Sequence, residues 1–150
     1  MIHLIHTDSS HPDFTSLVRL LDLELKVRDG EDHAFYAQFN KVDTIRHVVI
    51  AYADEVAAGC GALKPYTTDT MEIKRMYTLD DYRGLGIASN ILAALEAWAV
   101  ELGYQRCILE TGLNQPEAIG LYYKNGFTRI PNYGQYAGVE SSVCFEKRLG

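Results

Sequence analysis

The chain has 150 residues, 47% of them hydrophobic and 23% charged, with 14 Lys and Arg against 20 Asp and Glu for a net charge of −6. That composition excludes wholesale disorder, and the length supports a core that needs no disulfide or metal staple. The acidic balance argues against non-specific nucleic-acid binding, which depends on neutralising phosphates, and favours a neutral or cationic partner.

In chain order, Leu4-Ile5-His6 reads as a strand that stops at the polar Thr7-Asp8-Ser9-Ser10. Leu17, Leu20, Leu21, Leu23, Leu25 and Val27 predict an apolar helix after Asp13 that ends near Asp29-Gly30. A second, short helix is predicted from Glu31 to Asn40, with Phe35, Tyr36 and Phe39 on one side. His47 to Tyr52 and Val56 to Leu63 read as strands, joined by a hairpin at Asp54-Glu55. Alternation from Met71 to Thr78 predicts a half-buried strand. Met71, Ile73 and Arg75 fall on one face of it, and Glu72, Lys74 and Met76 on the other. A turn rich in Asp and Gly follows, then a long helix carrying Ala88, Ile91, Leu92, Leu95, Ala99 and Leu102 at helical spacing and closed by Gly103. Cys107-Ile108-Leu109 reads as a short buried strand. Asn114 is the expected cap of the next helix, with Pro116 in its first turn and Glu117 completing a capping box. Ala118, Leu121 and Tyr122 continue that helix, and Asn125-Gly126 ends it. Phe127 to Ile130 and Ser142 to Lys147 are the last two strands, joined by a loop, Pro131 to Val139, that holds Tyr133 and Tyr136.

Strands outnumber helices and one strand-helix-strand crossover sits mid-chain. With no repeat or linker, this predicts one α+β or mixed-sheet α/β domain over residues 1–150. Cys60, Cys107 and Cys144 are odd in number and widely spaced, which fits buried thiols in a reducing compartment. His3, His6, His11, His33 and His47 have no metal-ligand spacing, so no metal is expected. No long apolar run and no basic leader are present, so the expected location is cytoplasmic, away from the membrane.

The stretch with most chemical content is Arg83-Gly84-Leu85-Gly86-Ile87-Ala88, which follows a strand and opens a helix. A first helical turn has unpaired N–H groups and a positive dipole end, and glycines let a ligand approach the backbone. Phosphate is the natural occupant, and Arg83 adds a positive charge beside it. The Gly-Lys-Ser/Thr of a phosphate-binding P-loop is absent. A dinucleotide fold competes, since Gly84 to Ser89 partly match its fingerprint and Glu110 stands where a ribose acid belongs. Against it, Glu72-Ile73-Lys74-Arg75 is highly charged for a central parallel strand, and little chain follows Glu110.

Residues 71–127 resemble the core of the GNAT superfamily of N-acetyltransferases. Arg83-x-x-Gly86-x-Ala88 is similar to that family's acetyl-CoA signature. Leu121-Tyr122-Tyr123-Lys124-Asn125-Gly126-Phe127 resembles its later Leu-Tyr-x-x-x-Gly-Phe segment, at the family's separation of one helix, one strand and one helix start. The resemblance implies a mixed, mostly antiparallel sheet of six to seven strands flanked by helices, and acetyl-CoA as cosubstrate. It implies that backbone groups of Met76, Tyr77 and Thr78 hold the pantetheine arm, with an N–H near Thr78 polarising the thioester carbonyl. The amides of Arg83, Gly84, Leu85, Gly86, Ile87 and Ala88 would cradle the pyrophosphate, joined by Ser89. Gln115, or its neighbour Asn114, would contact the CoA arm.

The same resemblance makes Tyr122 the acid that protonates the departing thiolate, and leaves Tyr123 structural. It makes Glu72 the base for the attacking amine, with Glu110 or water alone as alternatives. Tyr133 and Tyr136, with Asn132 and Gln135, either line the acceptor pocket or tuck in a surface loop. Asp29, Glu31 and Asp32 are either a solvated junction or a rim for a cationic amine. The implied reaction is direct acetyl transfer to a primary amine, on a small molecule or a protein, in a ternary complex. A CoA-binding sensor or interaction module and a nucleotide-dependent oxidoreductase are the alternatives, and edge strands near the C-terminus are compatible with a homodimer.

Overall fold

A computed structural model describes residues 1–30 and 44–150, apart from the Asp29 side chain. The predicted helix from Glu31 to Asn40, and the readings of Asp29, Glu31 and Asp32 at the acceptor rim, lie outside the described residues. The described elements are β1 (Ile2–Thr7), α1 (Pro12–Asp29), β2 (His47–Ala53), β3 (Val56–Pro65), β4 (Thr70–Thr78), α2 (Ile87–Glu101), β5 (Arg106–Gly112), α3 (Pro116–Lys124), β6 (Thr128–Ile130) and β7 (Ser142–Arg148).

The strands form one seven-stranded sheet in the order β1-β2-β3-β4-β5-β7-β6. Among the described strands only β4 and β5 run parallel; the other neighbours are antiparallel. This is the mixed, mostly antiparallel sheet that the sequence predicts. It is not the parallel sheet that the dinucleotide reading requires.

Helices cover both faces. His11 starts α1, its Nδ1 accepting the Asp13 N–H at 3.1 Å, and Pro12 supplies a helical φ where no N–H is needed. Phe14, Leu17 and Val18 pack with Val48, Ile50, Cys60 and Ala62 on one sheet face. Leu20, Leu23 and Val27 are exposed, so only one stripe of the leucine-rich run is core. On the opposite face Ile87, Ile91, Leu92, Leu95 and Ala99 of α2 pack against Val49, Leu63, Met71 and Ile73. Truncating one of these leucines or isoleucines to Ala costs about 2–5 kcal/mol. The helix sits close because β3 carries glycines beneath it. A Cβ on Gly61 would stand 2.6 Å from Met76 Sδ and 2.9 Å from Ile91 and Leu95. Leu102, predicted on the apolar face, is the cap residue and is largely exposed.

Two irregularities of β4 shape everything that follows. First, Ala62 pairs with Lys74 but Cys60 pairs with Tyr77, so β4 spends three steps where β3 spends two. The extra residue is a bulge at Arg75, whose φ is +60°. The predicted alternation therefore fails past Lys74. Met76 joins the Met71–Ile73 side under α2, and Arg75 turns to the other face, where it meets Asp22 of α1. Second, β4 and β5 pair only at Thr70–Arg106, Met71–Cys107 and Glu72–Ile108. Beyond Glu72 they part, while β5 continues on β7 as far as Gly112. The sheet opens as a wedge there.

The start of α3 also departs from expectation. Gln115, not Asn114, is the cap residue, and its side chain makes no capping hydrogen bond. Asn114 instead donates its Nδ2 to the Arg28 carbonyl at 3.2 Å, because the end of α1 lies against it.

Candidate active site

Two spaces with lining residues in common lie at the wedge. The larger is a cleft of about 410 Å³ between the end of β4, the glycine turn and α3. Met76, Tyr77, Thr78, Arg83, Gly84, Gly86, Ile87, Ala88, Ser89, Gln115 and Tyr122 all line it. Leu85 does not; it is 61% exposed. Gly84 and Gly86 have φ values of +80° and +82°, the left-handed region that glycine adopts without strain. A Cβ on either would meet nothing within 4 Å, so the glycines serve conformation and access rather than packing. Gly86 opens α2 with no side-chain cap, and the first-turn amides of a helix have no partner within it. A group of phosphate size and charge fits that donor set.

Arg83 is tied down more than the sequence suggests. Its Nε donates to the Thr78 carbonyl at 2.9 Å, one terminal nitrogen meets Glu24 at 3.1 Å and the other Asp80 at 2.7 Å. It clasps the turn to β4 and α1 and lies 5.6 Å from the centre of the Tyr77 ring. Ser89 Oγ accepts from Asn125 Nδ2 at 3.1 Å, linking α2 to the end of α3. Arg28 reaches Glu117 at 3.0 Å and joins the end of α1 to the start of α3 beside the cleft. That hydrogen bond holds the Glu117 carboxyl below and the Arg28 guanidinium above their ordinary ranges. Glu24, Arg28 and Glu117 escape sequence reasoning because Arg28 and Glu117 are 89 residues apart and carry no motif.

The smaller space is a cavity of about 100 Å³ that shares Leu21, Met76, Gln115, Ala118 and Tyr122 with the cleft. Glu72, Lys74, Arg75, Glu110 and Tyr136 also line it. Glu72 is buried, accepts the Tyr133 hydroxyl at 2.6 Å and has Lys74 Nζ at 3.9 Å. Burial, and then the Glu72 carboxylate, push the Tyr133 phenol well above its ordinary range. Burial, then Glu110 and Glu72, raise Tyr136 likewise. The loop Pro131 to Val139 is thus folded onto the cavity, with Tyr133 edge-on to Tyr66 at 5.2 Å.

Tyr122 is 5% exposed and leans on Phe127 and Phe145, with ring centres 5.8 Å away in each case. Burial, then Glu110, push its phenol well above the ordinary range, so it holds its proton across the physiological range. Tyr123 packs edge-on against Phe145 at 5.1 Å and lines neither space. The arrangement puts a protonated phenol on the shared wall of a cleft beside the first-turn amides of α2 and a cavity with two carboxylates. Such a wall can give a proton on one side while a carboxylate takes one on the other.

Among the described residues, no three His, Cys, Asp or Glu side chains are grouped to hold a metal ion. Among them, too, no helix is long and apolar enough to cross a membrane.

Residues 14–127 match the profile of the acetyltransferase (GNAT) family. The uncharacterized N-acetyltransferase YjgM of Escherichia coli (strain K12) is 39% identical over 85 residues, 55% of this chain and 50% of its own length. The chain's match therefore spans half of that relative. The IAA acetyltransferase of Azospirillum brasilense is 33% identical over 102 residues, 67% of each chain. A Klebsiella pneumoniae protein classed with the acyl-CoA N-acyltransferases has a solved structure of TM-score 0.84 and 27% identity, covering 100% of this chain and 99% of its own. The PaiA N-acetyltransferase of Thermoplasma acidophilum, solved with coenzyme A, shares the fold at TM-score 0.70 and 20% identity over 99% of both chains. With its sheet, its glycine turn and this profile match in agreement, the chain belongs to the acetyltransferase (GNAT) family.

Proposed function

We propose that residues 1–150 act as one N-acetyltransferase domain that passes the acetyl group of acetyl-CoA directly to a primary amine in a ternary complex. The acceptor is an amine on a small molecule or a protein. Three buried free thiols suit a reducing, cytoplasmic setting. The observation that carries the reading is the shared wall. Tyr122 and Gln115 line both the cleft and the cavity, so a ligand in each would meet at them.

Acetyl-CoA supplies an activated acyl group and a thiolate leaving group. The amides at Gly86, Ile87, Ala88 and Ser89 hold its pyrophosphate at the start of α2. Past Glu72, β4 is released from β5, and the backbone of Met76, Tyr77 and Thr78 borders the cleft where the pantetheine arm lies. An N–H near Thr78 stabilises the carbonyl oxygen as it gains negative charge. Gln115 contacts the arm from α3. Asn114 is turned to Arg28 and lines neither space.

An alkylammonium has a pKa of roughly 10, so the acceptor must lose a proton before it attacks. Glu72 takes that proton, directly or through water, held in place by the Tyr133 hydroxyl. Glu110 is the second carboxylate of the cavity and draws the ammonium in. Tyr122 gives its proton to the departing thiolate.

The test is calorimetry of the purified protein with acetyl-CoA, NAD and ATP, followed by thiol release across an amine panel. Selective acetyl-CoA binding with amine-dependent thiol release is the expected result. Binding without release would leave a CoA-binding module, and binding of NAD alone would remove the reading.

A further inference from the structure

The bulge in β4 has a consequence for the acceptor. In a regular strand Arg75 would share the Met71–Ile73 face and lie under α2. At φ +60° it is delivered to the opposite face, onto the wall of the cavity that holds Glu72 and Glu110. A left-handed φ is uncommon for so bulky a residue, and such strain concentrates at functional sites. The Arg75 side chain is only 4% exposed, yet its ionic partner among the described residues, Asp22, is 45% exposed at 2.9 Å from Nη1. The Nη2 nitrogen is buried and has no hydrogen-bond partner among the described residues. Buried donors are normally satisfied, and an exception calls for an explanation. A guanidinium fork with spare donors matches a carboxylate. Lys74 is a second cation on the same wall, 3.9 Å from Glu72. The cavity of this acidic protein thus sets two cations beside two carboxylates.

We propose that the acceptor is a small zwitterion, an amine that also bears a carboxylate, with Arg75 as the anchor of that carboxylate. This rests on the acetyl-transfer reading above and names the substrate class of the same site. The ammonium end lies toward Glu72 and Glu110, and the carboxylate end toward the Arg75 guanidinium. A diamine or a simple alkylamine leaves the buried guanidinium unanswered or repels it, so selection works by penalty as well as by attraction.

The experiment measures thiol release at saturating acetyl-CoA with the common L-α-amino acids, each beside its carboxamide and its decarboxylated amine. The amino acids should be favoured by roughly tenfold or more in kcat/KM, and Arg75→Gln should collapse that preference toward unity through KM. Arg75→Lys should restore part of it, which a merely structural Arg75 would not show. If Arg75→Gln does not fold, the preference series on the unaltered protein decides alone. Equal or better use of the carboxamides and decarboxylated amines overturns the proposal. So does a failure to acetylate any amino acid while calorimetry shows acetyl-CoA bound, and the acetyl-transfer reading then survives. No acetyl-CoA binding overturns that underlying reading, and this one with it.

Discussion

The cleft and the cavity that meet at Tyr122 are built in different ways. Most of the cleft comes from one run of chain, Met76 to Ser89, and its character lies in the backbone: two left-handed glycines and the open amides of α2. The cavity is assembled from residues of α1, β4, β5 and α3, and of the loop before β7. Glu72 meets Tyr133 across 61 residues, and Arg75 meets Asp22 across 53. A contiguous backbone site can be written as a short motif. A site of converging side chains depends on strand phase and on how the sheet splits, so each member is ordinary in sequence.

The largest expected effect lies at the wall that the two spaces share. Tyr122→Phe should lower kcat by roughly 10²–10⁴-fold with acetyl-CoA affinity nearly unchanged, measured by thiol release and calorimetry. Because the folded-state phenol is pushed up, the unaltered enzyme should show no falling limb from Tyr122 below about pH 10. A lower alkaline limb that Tyr122→Phe abolishes would break the assignment.

Glu72→Gln tests the cavity alone. It should cost roughly 10²-fold in kcat/KM and leave acetyl-CoA affinity in place. The deficit should widen as pH falls, where unassisted loss of the amine proton is rarest. A larger loss in Glu110→Gln would pass the role of base to Glu110.

Gly59→Ala tests the floor beneath the cleft. Its Cβ would stand 2.9 Å from the Tyr77 carbonyl oxygen, so β4 or α2 must shift, at a cost of about 1–3 kcal/mol in a denaturant titration. An unchanged midpoint would show that β3 tolerates the wider spacing. Gly86→Val tests the cleft's backbone character. Its Cβ meets no protein atom, but a branched side chain at φ +82° is strained and projects into open space. Acetyl-CoA affinity should fall by about tenfold while the acceptor preference series keeps its order. The smallest effect belongs to the clasp between α1 and α3. The pair is partly solvent-exposed, so Arg28→Ala should change stability by less than about 1 kcal/mol.

The fold was legible because its signals are local. The long α2 stripe, Leu102 apart, falls where its spacing predicts, and Gly103 follows the cap at φ +89°. The strands likewise lie within a few residues of their apolar runs. Tyr122 and the glycine turn were legible for the same reason, as short motifs on one helix and one loop. The capping of α3 was misread because Asn114 has a competing partner, the Arg28 carbonyl, 86 residues earlier. The phase of β4 was misread because a single inserted residue at Arg75 reverses every later side chain, and charged strand sequence carries no mark of a bulge.

By itself, the sequence determined most of the described helices and strands, the glycine turn that opens α2 and the place of Tyr122 on α3, because each follows from contacts within a few residues. The tertiary structure alone decided that β4 and β5 part after Glu72. It alone tied Arg83 to Glu24, Asp80 and the Thr78 carbonyl, and brought Arg75 beside Glu72 and Glu110. Those outcomes are set by strand register and by long-range packing of side chains, whose energies arise only once distant parts of the chain share one core.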